Sequence, residues 1–220
     1  MGNIQKNSIR SVSYTDRTVK PAIVFDFGGV LIDWNVYYIY RRYFSSDQQI
    51  DDFLQTISFH DWNEELQRGI VPYSERIIDV SSRFPEYREL IEAFDLYWFD
   101  AVGGIIVETQ DILKELRSKG YATYGLSNWP VEKFLPIIDR LEFLKYMDDY
   151  LISGEINLIK PEPAFFLTFL NRIRRGPEEC IFIDDREDNV RVAKKLGFLT
   201  VKYSSPVLLR LQLNEYGVEI

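Results

Sequence analysis

The residues of this sequence that could do chemistry are acidic or polar side chains placed directly after short apolar runs. They are Asp26, Ser127, Asn128, Lys160, Asp184 and Asp185. Each alone has an ordinary structural interpretation, since Asp and Ser often cap helices and a lysine usually lies at the surface. In parallel α/β sheets, however, ligands bind beyond the carboxyl ends of the strands. Polar residues at several such ends therefore predict one shared active site.

The composition restricts the metal sites that these residues could form. The chain has one cysteine, Cys180, and one histidine, His60, which excludes zinc sites that need several thiolates or imidazoles. A metal is therefore expected to have oxygen ligands, which favours Mg²⁺ or a similar hard cation. His60 could act as a lone general base, but a partly exposed helical histidine without a role is the more ordinary interpretation.

The elements that must position these residues follow from hydrophobic periodicity. Between the strands, apolar residues recur at helical spacing, and such alternation predicts an α/β fold with a Rossmann-like, doubly wound parallel sheet. Strands are predicted at residues 21–25, 121–127, 150–153, 180–183 and 199–203, and helices at residues 109–119, 131–141, 161–173 and 187–196.

A separate helical domain interrupts this alternation. From residue 35 to about residue 102, aromatic and aliphatic residues recur at helical spacing only, which predicts an inserted helical domain. We therefore predict an N-terminal tail at residues 1–18, an α/β core at residues 19–34 and 103–220, and a helical domain at residues 35–102.

The charge and length of the chain exclude several classes of protein. The 220 residues, of which 46% are hydrophobic, can bury the core of one domain with a smaller insert. A net charge of −8 argues against a nucleic-acid partner, which needs a basic surface. We find no apolar run long enough for a transmembrane helix and no apolar signal-peptide core. A cytoplasmic location and no membrane partner are therefore expected.

Four segments resemble the motifs of the haloacid dehalogenase-like hydrolase superfamily. They are FDFGGVL at residues 25–31, LSN at 126–128, IKPEP at 159–163 and IFIDDREDN at 181–189. The inserted domain resembles the four-helix cap of the dehalogenase and sugar-phosphatase branches. The resemblance, which spans about residues 21–203, implies a Mg²⁺-dependent phosphohydrolase. Its substrate is expected to be a small phosphorylated metabolite, such as a sugar phosphate, and its intermediate an aspartyl phosphate.

The resemblance also implies catalytic and metal-binding roles. Asp26 is expected to be the nucleophile, because a carboxylate can attack phosphorus and divide the transfer into two steps. Ser127 and Lys160 are expected to stabilise the phosphoryl oxygens in the transition state. Asp26, the Gly28 carbonyl and Asp185 are the expected Mg²⁺ ligands, and substrate and water would complete the octahedron.

Further residues are expected to support this centre. Asp184 is expected to steady Lys160, and Asn189 to lie in the second coordination shell of the metal. Trp34 follows the first motif closely enough to reach a substrate. The expected substrate contacts are Gly29, Trp34, Ser127 and Asn128.

Gly28 departs from the pattern of the superfamily. In most of its phosphatases, the residue two positions after the nucleophile is an Asp that protonates the leaving oxygen, and such an acid contributes about 10²- to 10⁴-fold in rate. Three explanations are open. The substrate could have a good leaving group, or the acid could be replaced by a water or by a carboxylate of the insert such as Asp33, Asp61 or Glu64. Alternatively, the protein could be a binding module without turnover. An active branch with glycine here, which includes bacterial glucose-1-phosphate phosphatases, favours an enzyme.

A dehalogenase is the alternative enzyme. It uses the same aspartate to attack carbon and needs no cation. The adjacent Asp184 and Asp185 argue against it, because two neighbouring carboxylates repel each other unless a metal is present. A dinucleotide-binding protein is disfavoured because Gly28 and Gly29 do not extend to the G-x-G-x-x-G pattern.

Overall fold

Seven short strands occur in the part of the chain that the structure describes. The computed structural model describes residues 20–220, so the tail predicted at residues 1–18 lies outside the described residues. The strands are β1 (Ala22–Phe25), β2 (Ile32–Trp34), β3 (Val102–Ile105), β4 (Thr123–Ser127), β5 (Asp149–Ile152), β6 (Cys180–Asp184) and β7 (Leu199–Lys202). Five form one parallel sheet in the order β5-β4-β1-β6-β7, and β2 pairs with β3 in an antiparallel ribbon.

Strand β1 lies at the centre of the sheet, and all of its residues are buried. Val24 of β1 is level with Tyr124 of β4 on one side and with Phe182 of β6 on the other. The chain builds one half of the sheet outward from β1 through β4 to β5, and then crosses over to build the other half through β6 to β7. This reversal confirms the predicted Rossmann-like, doubly wound sheet and places a crevice at the carboxyl end of β1.

Helices cover both faces of this sheet. Ile23 of β1 packs in one apolar cluster with Leu113 and Leu209, whereas Val24 packs in a second cluster with Phe166. Successive strand residues thus point to opposite helical layers. The helices of residues 20–220 are α1 (Tyr37–Tyr40), α2 (Asp47–Thr56), α3 (Phe59–Arg68), α4 (Tyr73–Arg83), α5 (Arg88–Leu96), α6 (Val107–Ser118), α7 (Val131–Phe134), α8 (Ser153–Ile156), α9 (Pro163–Ile173), α10 (Glu187–Lys195) and α11 (Pro206–Glu215). None of them is long and apolar enough to span a membrane.

Along the chain, helices α1 to α5 are inserted between β2 and β3, the two strands of the antiparallel ribbon. Ser46 caps α2 by accepting a hydrogen bond from the backbone N–H of Gln49. The interior of the insert is aromatic: Phe94 packs edge-on against Phe59 and Trp62, with ring centroids 5.0 and 5.5 Å away. We refer to α1–α5 as the cap.

Three parts of the sequence prediction need correction. The single helix predicted at residues 131–141 is wrong: α7 ends at Phe134, and 3₁₀ turns follow over Leu135–Arg140, where Pro136 has no N–H to continue an α-helix. Ser153, predicted as the last residue of a strand, instead begins α8. The β2-β3 ribbon and α11 have no counterpart in the prediction, and Ser205 caps α11 through the backbone of Leu208.

Candidate functional site

A cavity of about 350 Å³ lies at the carboxyl ends of β1, β4 and β6, beneath helix α3 of the cap. The structure brings almost all of the predicted site residues to this cavity, because the parallel strands end at the same edge of the sheet. The predicted residues that line it are Asp26, Gly28, Gly29, Trp34, Ser127, Asn128, Lys160, Asp185 and Asn189. Asp184 is the exception: it is fully buried behind the lining.

The carboxylate of Asp26 is held by neighbours on both of its oxygens. Oδ1 accepts hydrogen bonds from Ser127 Oγ at 2.7 Å and from the backbone N–H of Phe27 at 2.6 Å. Lys160 Nζ lies 2.9 Å from Oδ2. Burial raises the pKa of Asp26 to about 7. The charge of Lys160 acts in the opposite direction, and the charges of Asp184 and Asp185 raise the pKa further. These contacts fix the orientation of the Asp26 carboxylate at the cavity.

Lys160 is a buried ammonium group between two carboxylates. Besides Asp26, it contacts Asp184 Oδ2 at 2.7 Å. Burial alone would lower the pKa of Lys160, but the charges of Asp184 and Asp26 outweigh it and the pKa rises. Asp184 also accepts hydrogen bonds from Asn189 Nδ2 at 3.0 Å and from the Arg186 backbone at 2.8 Å. Both carboxylate oxygens of Asp184 therefore accept hydrogen bonds from protein groups, and one of these donors is Lys160, the residue that Asp184 is expected to steady.

The side-chain amide of Asn128 is bound to the backbone of Lys160. Asn128 Nδ2 donates to the Lys160 carbonyl at 2.9 Å, and the Lys160 N–H donates to Asn128 Oδ1 at 2.8 Å. These two bonds join the loop after β4 to the loop that carries the lysine. The family resemblance implies that Asn128 contacts substrate, and that role stays a prediction beside this structural one.

The residues at the cavity floor fit a magnesium ion. Oxygen atoms of Asp26, Asp184 and Asp185 lie within 4.8 Å of one another. Burial, and then the Asp184 charge, raise the pKa of Asp185, and a cation would relieve this repulsion. Asn189 Oδ1 is buried and has no hydrogen-bond partner within residues 20–220. That oxygen is suited to accept a hydrogen bond from a metal-bound water.

Gly29 allows the Asp185 carboxylate to reach the floor of the cavity. Its φ of +72° is unfavourable for residues with a side chain. A Cβ at this position would lie 2.4 Å from Asp185 Oδ2 and 2.6 Å from its Cγ. Gly29 is therefore required by the position of Asp185 as well as by the turn.

Helix α3 supplies the cap side of the cavity, which the sequence analysis missed. It buries Phe59, Trp62 and Leu66 and turns the adjacent stripe towards the cavity. The residues of that stripe are His60, Asn63 and Gln67. Both stripes follow the spacing i, i+3, i+7, so a helical wheel separates the polar face from the apolar one, but it does not show that the polar face meets the cavity.

The carboxylates considered as replacements for the missing acid do not line the cavity. Asp33 accepts a hydrogen bond from the Tyr38 hydroxyl at 2.7 Å. Glu64 lies 3.2 Å from Nε2 of His60, and Asp61 is exposed on α3. Among the described lining residues, His60 is the cap side chain with a titratable group. It remains largely exposed, as expected from the sequence.

Aromatic rings form the remaining wall. The ring centroid of Trp98 lies 6.5 Å from that of Trp34 and 5.7 Å from that of Trp129. Trp129 is 4% exposed and also packs edge-on against Phe27 and Phe134. Trp34 and Trp129 thus border the cavity, while their far sides belong to the apolar core.

Polar contacts hold the cap on the core around the cavity. The C-terminal end of α3 is tied most closely, since Asn157 Nδ2 donates to the Arg68 carbonyl at 2.9 Å and the Arg68 guanidinium pairs with Glu162. On the other side of the cap, Lys133 pairs with Asp95 at 2.5 Å. The cap is therefore held against the core beside the cavity.

The geometry agrees with a comparison with known families. Residues 20–197 match the family of haloacid dehalogenase-like hydrolases. The chain belongs to this family. The match includes all four motifs that carry the resemblance, and it confirms that the protein is a hydrolase of this type.

Individual relatives agree with this assignment. Flavin mononucleotide hydrolase 1 from Arabidopsis thaliana is 27% identical to this chain in the aligned region. The alignment covers 50% of this chain and 45% of that protein. D-ribitol-5-phosphate phosphatase from Bacteroides thetaiotaomicron is 27% identical over 81% of this chain and 89% of that protein. A family enzyme from the same species, solved with magnesium and inorganic phosphate, has a TM-score of 0.63 at 24% identity. The alignment covers 84% of this chain and 95% of that structure, and it shows the shared fold.

Proposed function

We propose that this protein is a Mg²⁺-dependent phosphatase of small phosphorylated metabolites, with sugar or polyol phosphates as the favoured class. The observation that carries the proposal is the buried carboxylate of Asp26, held by Ser127 and Lys160 at the floor of the cavity. A nucleophile beside a hydroxyl donor and an ammonium group is suited to phosphoryl transfer, which depends on positioning and on charge stabilisation.

The residues of the chain divide the reaction into two steps. Asp26 attacks phosphorus with a carboxylate oxygen, and the bond between phosphorus and the leaving oxygen breaks. This gives an aspartyl phosphate and releases the alcohol, whose oxygen takes a proton from solvent. Ser127 and Lys160 stabilise the phosphoryl oxygens as charge develops. Water then attacks the aspartyl phosphate, which releases inorganic phosphate and restores Asp26. Asn128 and Asp184 keep Lys160 in place during both steps.

Asp26, Asp185 and the carbonyl of Gly28 are the residues that would hold Mg²⁺, with Asn189 behind them. The ion supplies positive charge that offsets repulsion between the carboxylate nucleophile and the phosphoryl group. The name of the ribitol-phosphate phosphatase and the magnesium and phosphate bound to the family enzyme from Bacteroides thetaiotaomicron support this assignment.

Hydrolysis of an aryl phosphate with and without a chelator tests the proposal. We expect activity to vanish on chelation and to return with Mg²⁺. Asp26→Asn keeps the shape of the side chain and should abolish turnover while the protein stays folded. The control Asp139→Asn changes an exposed aspartate away from the cavity and should retain the wild-type rate.

Other outcomes would favour the alternative functions. A rate that is unchanged by chelation, together with release of halide from a haloacid, would identify a dehalogenase. Binding of inorganic phosphate in the presence of Mg²⁺, without turnover of any phosphate ester, would identify a binding module.

A further inference from the structure

We infer that Arg68, the last residue of α3 in the cap, is a positioning residue for Lys160. The inference rests on the proposed phosphatase function, in which Lys160 stabilises the phosphoryl group, and it adds a cap residue on which the place of that lysine depends. Arg68 does not line the cavity within residues 20–220. It acts through residues 157–162, the segment between α8 and α9 that carries Lys160, which we call the lysine loop.

Arg68 binds the lysine loop at both of its ends. Its backbone carbonyl accepts a hydrogen bond from Asn157 Nδ2 at 2.9 Å. Its guanidinium Nη2 donates to Glu162 Oε1 in an ion pair. Asn157 is the first residue of the loop and Glu162 the last, so a single cap residue spans the segment in which Lys160 lies.

Glu162 connects the guanidinium of Arg68 to the residue that precedes the lysine. Its second oxygen, Oε2, accepts from the Ile159 N–H at 3.4 Å, and its own N–H donates to the Ile159 carbonyl at 2.9 Å. The hydrogen bond from Arg68 lowers the pKa of Glu162, which favours the ionised carboxylate that both donors need. Removal of Arg68 therefore weakens a contact next to Lys160 as well as one at the end of the loop.

The position of the lysine loop matters because the ammonium group of Lys160 has two fixed partners. It lies 2.9 Å from Asp26 and 2.7 Å from Asp184, and the side chain is fully buried. Asn128 holds the Lys160 backbone from the core, whereas Arg68 holds the loop ends from the cap. A displacement of about 1 Å at a catalytic group can cost about 100-fold in rate, so a partly released loop should reduce turnover.

A second ion pair between cap and core provides a matched comparison. Lys133 of α7 pairs with Asp95 of α5 at 2.5 Å. No hydrogen bond or ion pair joins either residue to the lysine loop in the part of the chain that the structure describes. Loss of this pair thus removes a contact between cap and core without releasing Lys160.

Steady-state kinetics of two variants with saturating Mg²⁺ tests the inference. Arg68→Met keeps the apolar stem and removes the guanidinium, and Lys133→Met does the same to the comparison pair. We expect Arg68→Met to lower kcat for an aryl phosphate by about 10-fold, with a smaller change in KM. Lys133→Met should keep kcat within about twofold, as for the loss of a partly exposed ion pair. The loss in Arg68→Met should be equal for a sugar phosphate, because Lys160 acts on the phosphoryl group that both esters share.

Two further measurements examine each end of the loop. In a Glu162→Gln background, Arg68→Met should cost at most about twofold more in kcat, because the two changes remove one interaction and are not additive. Asn157→Gly suits the φ of +59° at this position and removes the bond to the Arg68 carbonyl. It should lower kcat by about fivefold. Arg174→Gly, at an exposed residue with a φ of +54° after α9, is its control and should keep the wild-type kcat.

Three results would overturn the inference while the proposed function stands. One is an active wild-type enzyme whose Arg68→Met variant keeps the wild-type kcat. Another is an equal loss of kcat in Arg68→Met and Lys133→Met, since the effect would then follow from attachment of the cap alone. If Arg68→Met does not fold, an unchanged kcat in Asn157→Gly is the result that overturns it. A wild-type protein that hydrolyses no phosphate ester with Mg²⁺ present overturns the proposed function itself.

Discussion

Asn128 holds Lys160 by its backbone, with hydrogen bonds of 2.9 and 2.8 Å to the carbonyl and the N–H of the lysine. The lysine ammonium group contacts Asp26, so the amide is linked to the Asp26 carboxylate through Lys160. Residues 32 positions apart in sequence are thereby fixed relative to each other. This relationship explains why an amide follows Ser127 even if it never contacts substrate.

Asn128→Ala should therefore lower kcat by about 10- to 100-fold, since a small displacement of a catalytic group is enough for such a loss. The reason is the freed Lys160 loop, so KM for an aryl phosphate should change less than kcat. Steady-state kinetics with saturating Mg²⁺ provides the measurement. Asn171→Ala, at an exposed position of α9, is the control. A variant with wild-type kcat would show that the two bonds are dispensable.

The core of the site could be predicted because its positions are fixed by strand ends. Asp26, Ser127 and Asp184 follow or end buried strands, and parallel strands end at one edge, so apolar runs alone place these side chains together. The contact between Lys160 and Asp184 also agrees with the expectation from the sequence. Local patterns suffice where the sheet imposes the geometry.

The cap side could not be predicted, because the packing of α3 on the core determines which of its faces meets the cavity. Gln67 is one polar residue among several on that helix until Ser153 binds its carbonyl. The β2-β3 ribbon escaped prediction for another reason. Its strands have three and four residues, and Gly103 and Gly104 leave no alternating pattern to detect.

Gly29→Ala should disrupt the metal site through a steric contact. The new Cβ would lie 2.4 Å from Asp185 Oδ2, so that carboxylate must move. We expect the increase in melting temperature caused by Mg²⁺ in the wild-type protein to be largely lost, since a ligand stabilises only the state that binds it. Thermal unfolding with and without Mg²⁺ measures this effect.

Gly120→Ala is a matched control for that experiment. Gly120 has a similar φ of +76°, but a Cβ there would meet nothing within 4 Å. Both variants should lose roughly 1–2 kcal/mol from the left-handed backbone conformation, and Gly120→Ala should keep its Mg²⁺ response. Equal responses in the two variants would show that Asp185 does not need the space above Gly29.

The raised pKa of Asp26 predicts how the stability of the metal-free protein depends on pH. Its folded-state pKa of about 7 exceeds the ordinary value of 3.8, so ionisation is harder in the folded state. The carboxyl group therefore costs no stability below its ordinary pKa, and its cost grows as the pH rises towards about 7 and is constant above. The slope is at most about 1.4 kcal/mol per pH unit.

Asp26→Asn isolates this dependence, because the amide resembles the protonated acid and does not titrate. With a chelator present, the variant should become increasingly more stable than the wild-type protein between about pH 4 and pH 7. Denaturant unfolding at several pH values measures the difference, and Mg²⁺ should reduce it. A difference that is independent of pH would contradict the raised pKa.

The last prediction concerns the proton that Gly28 cannot supply. No carboxylate of the cap lines the cavity within residues 20–220, so the leaving oxygen must carry more negative charge itself, and rates should fall steeply as its pKa rises. Aryl phosphates should react faster than primary-alcohol esters. A Cβ at Gly28 would meet only Trp34 Cβ, at 3.8 Å, so Gly28→Asp has room to add the acid. Because a general acid contributes about 10²- to 10⁴-fold in rate, we expect Gly28→Asp to raise the alkyl-to-aryl rate ratio at least about tenfold. Gly28→Asn is the control: its amide does not act as an acid, so the ratio should stay unchanged. A wild-type enzyme with a shallow leaving-group dependence, and a pH profile that requires a protonated group, would instead indicate an acid delivered from elsewhere, with His60 of α3 as the first residue to substitute.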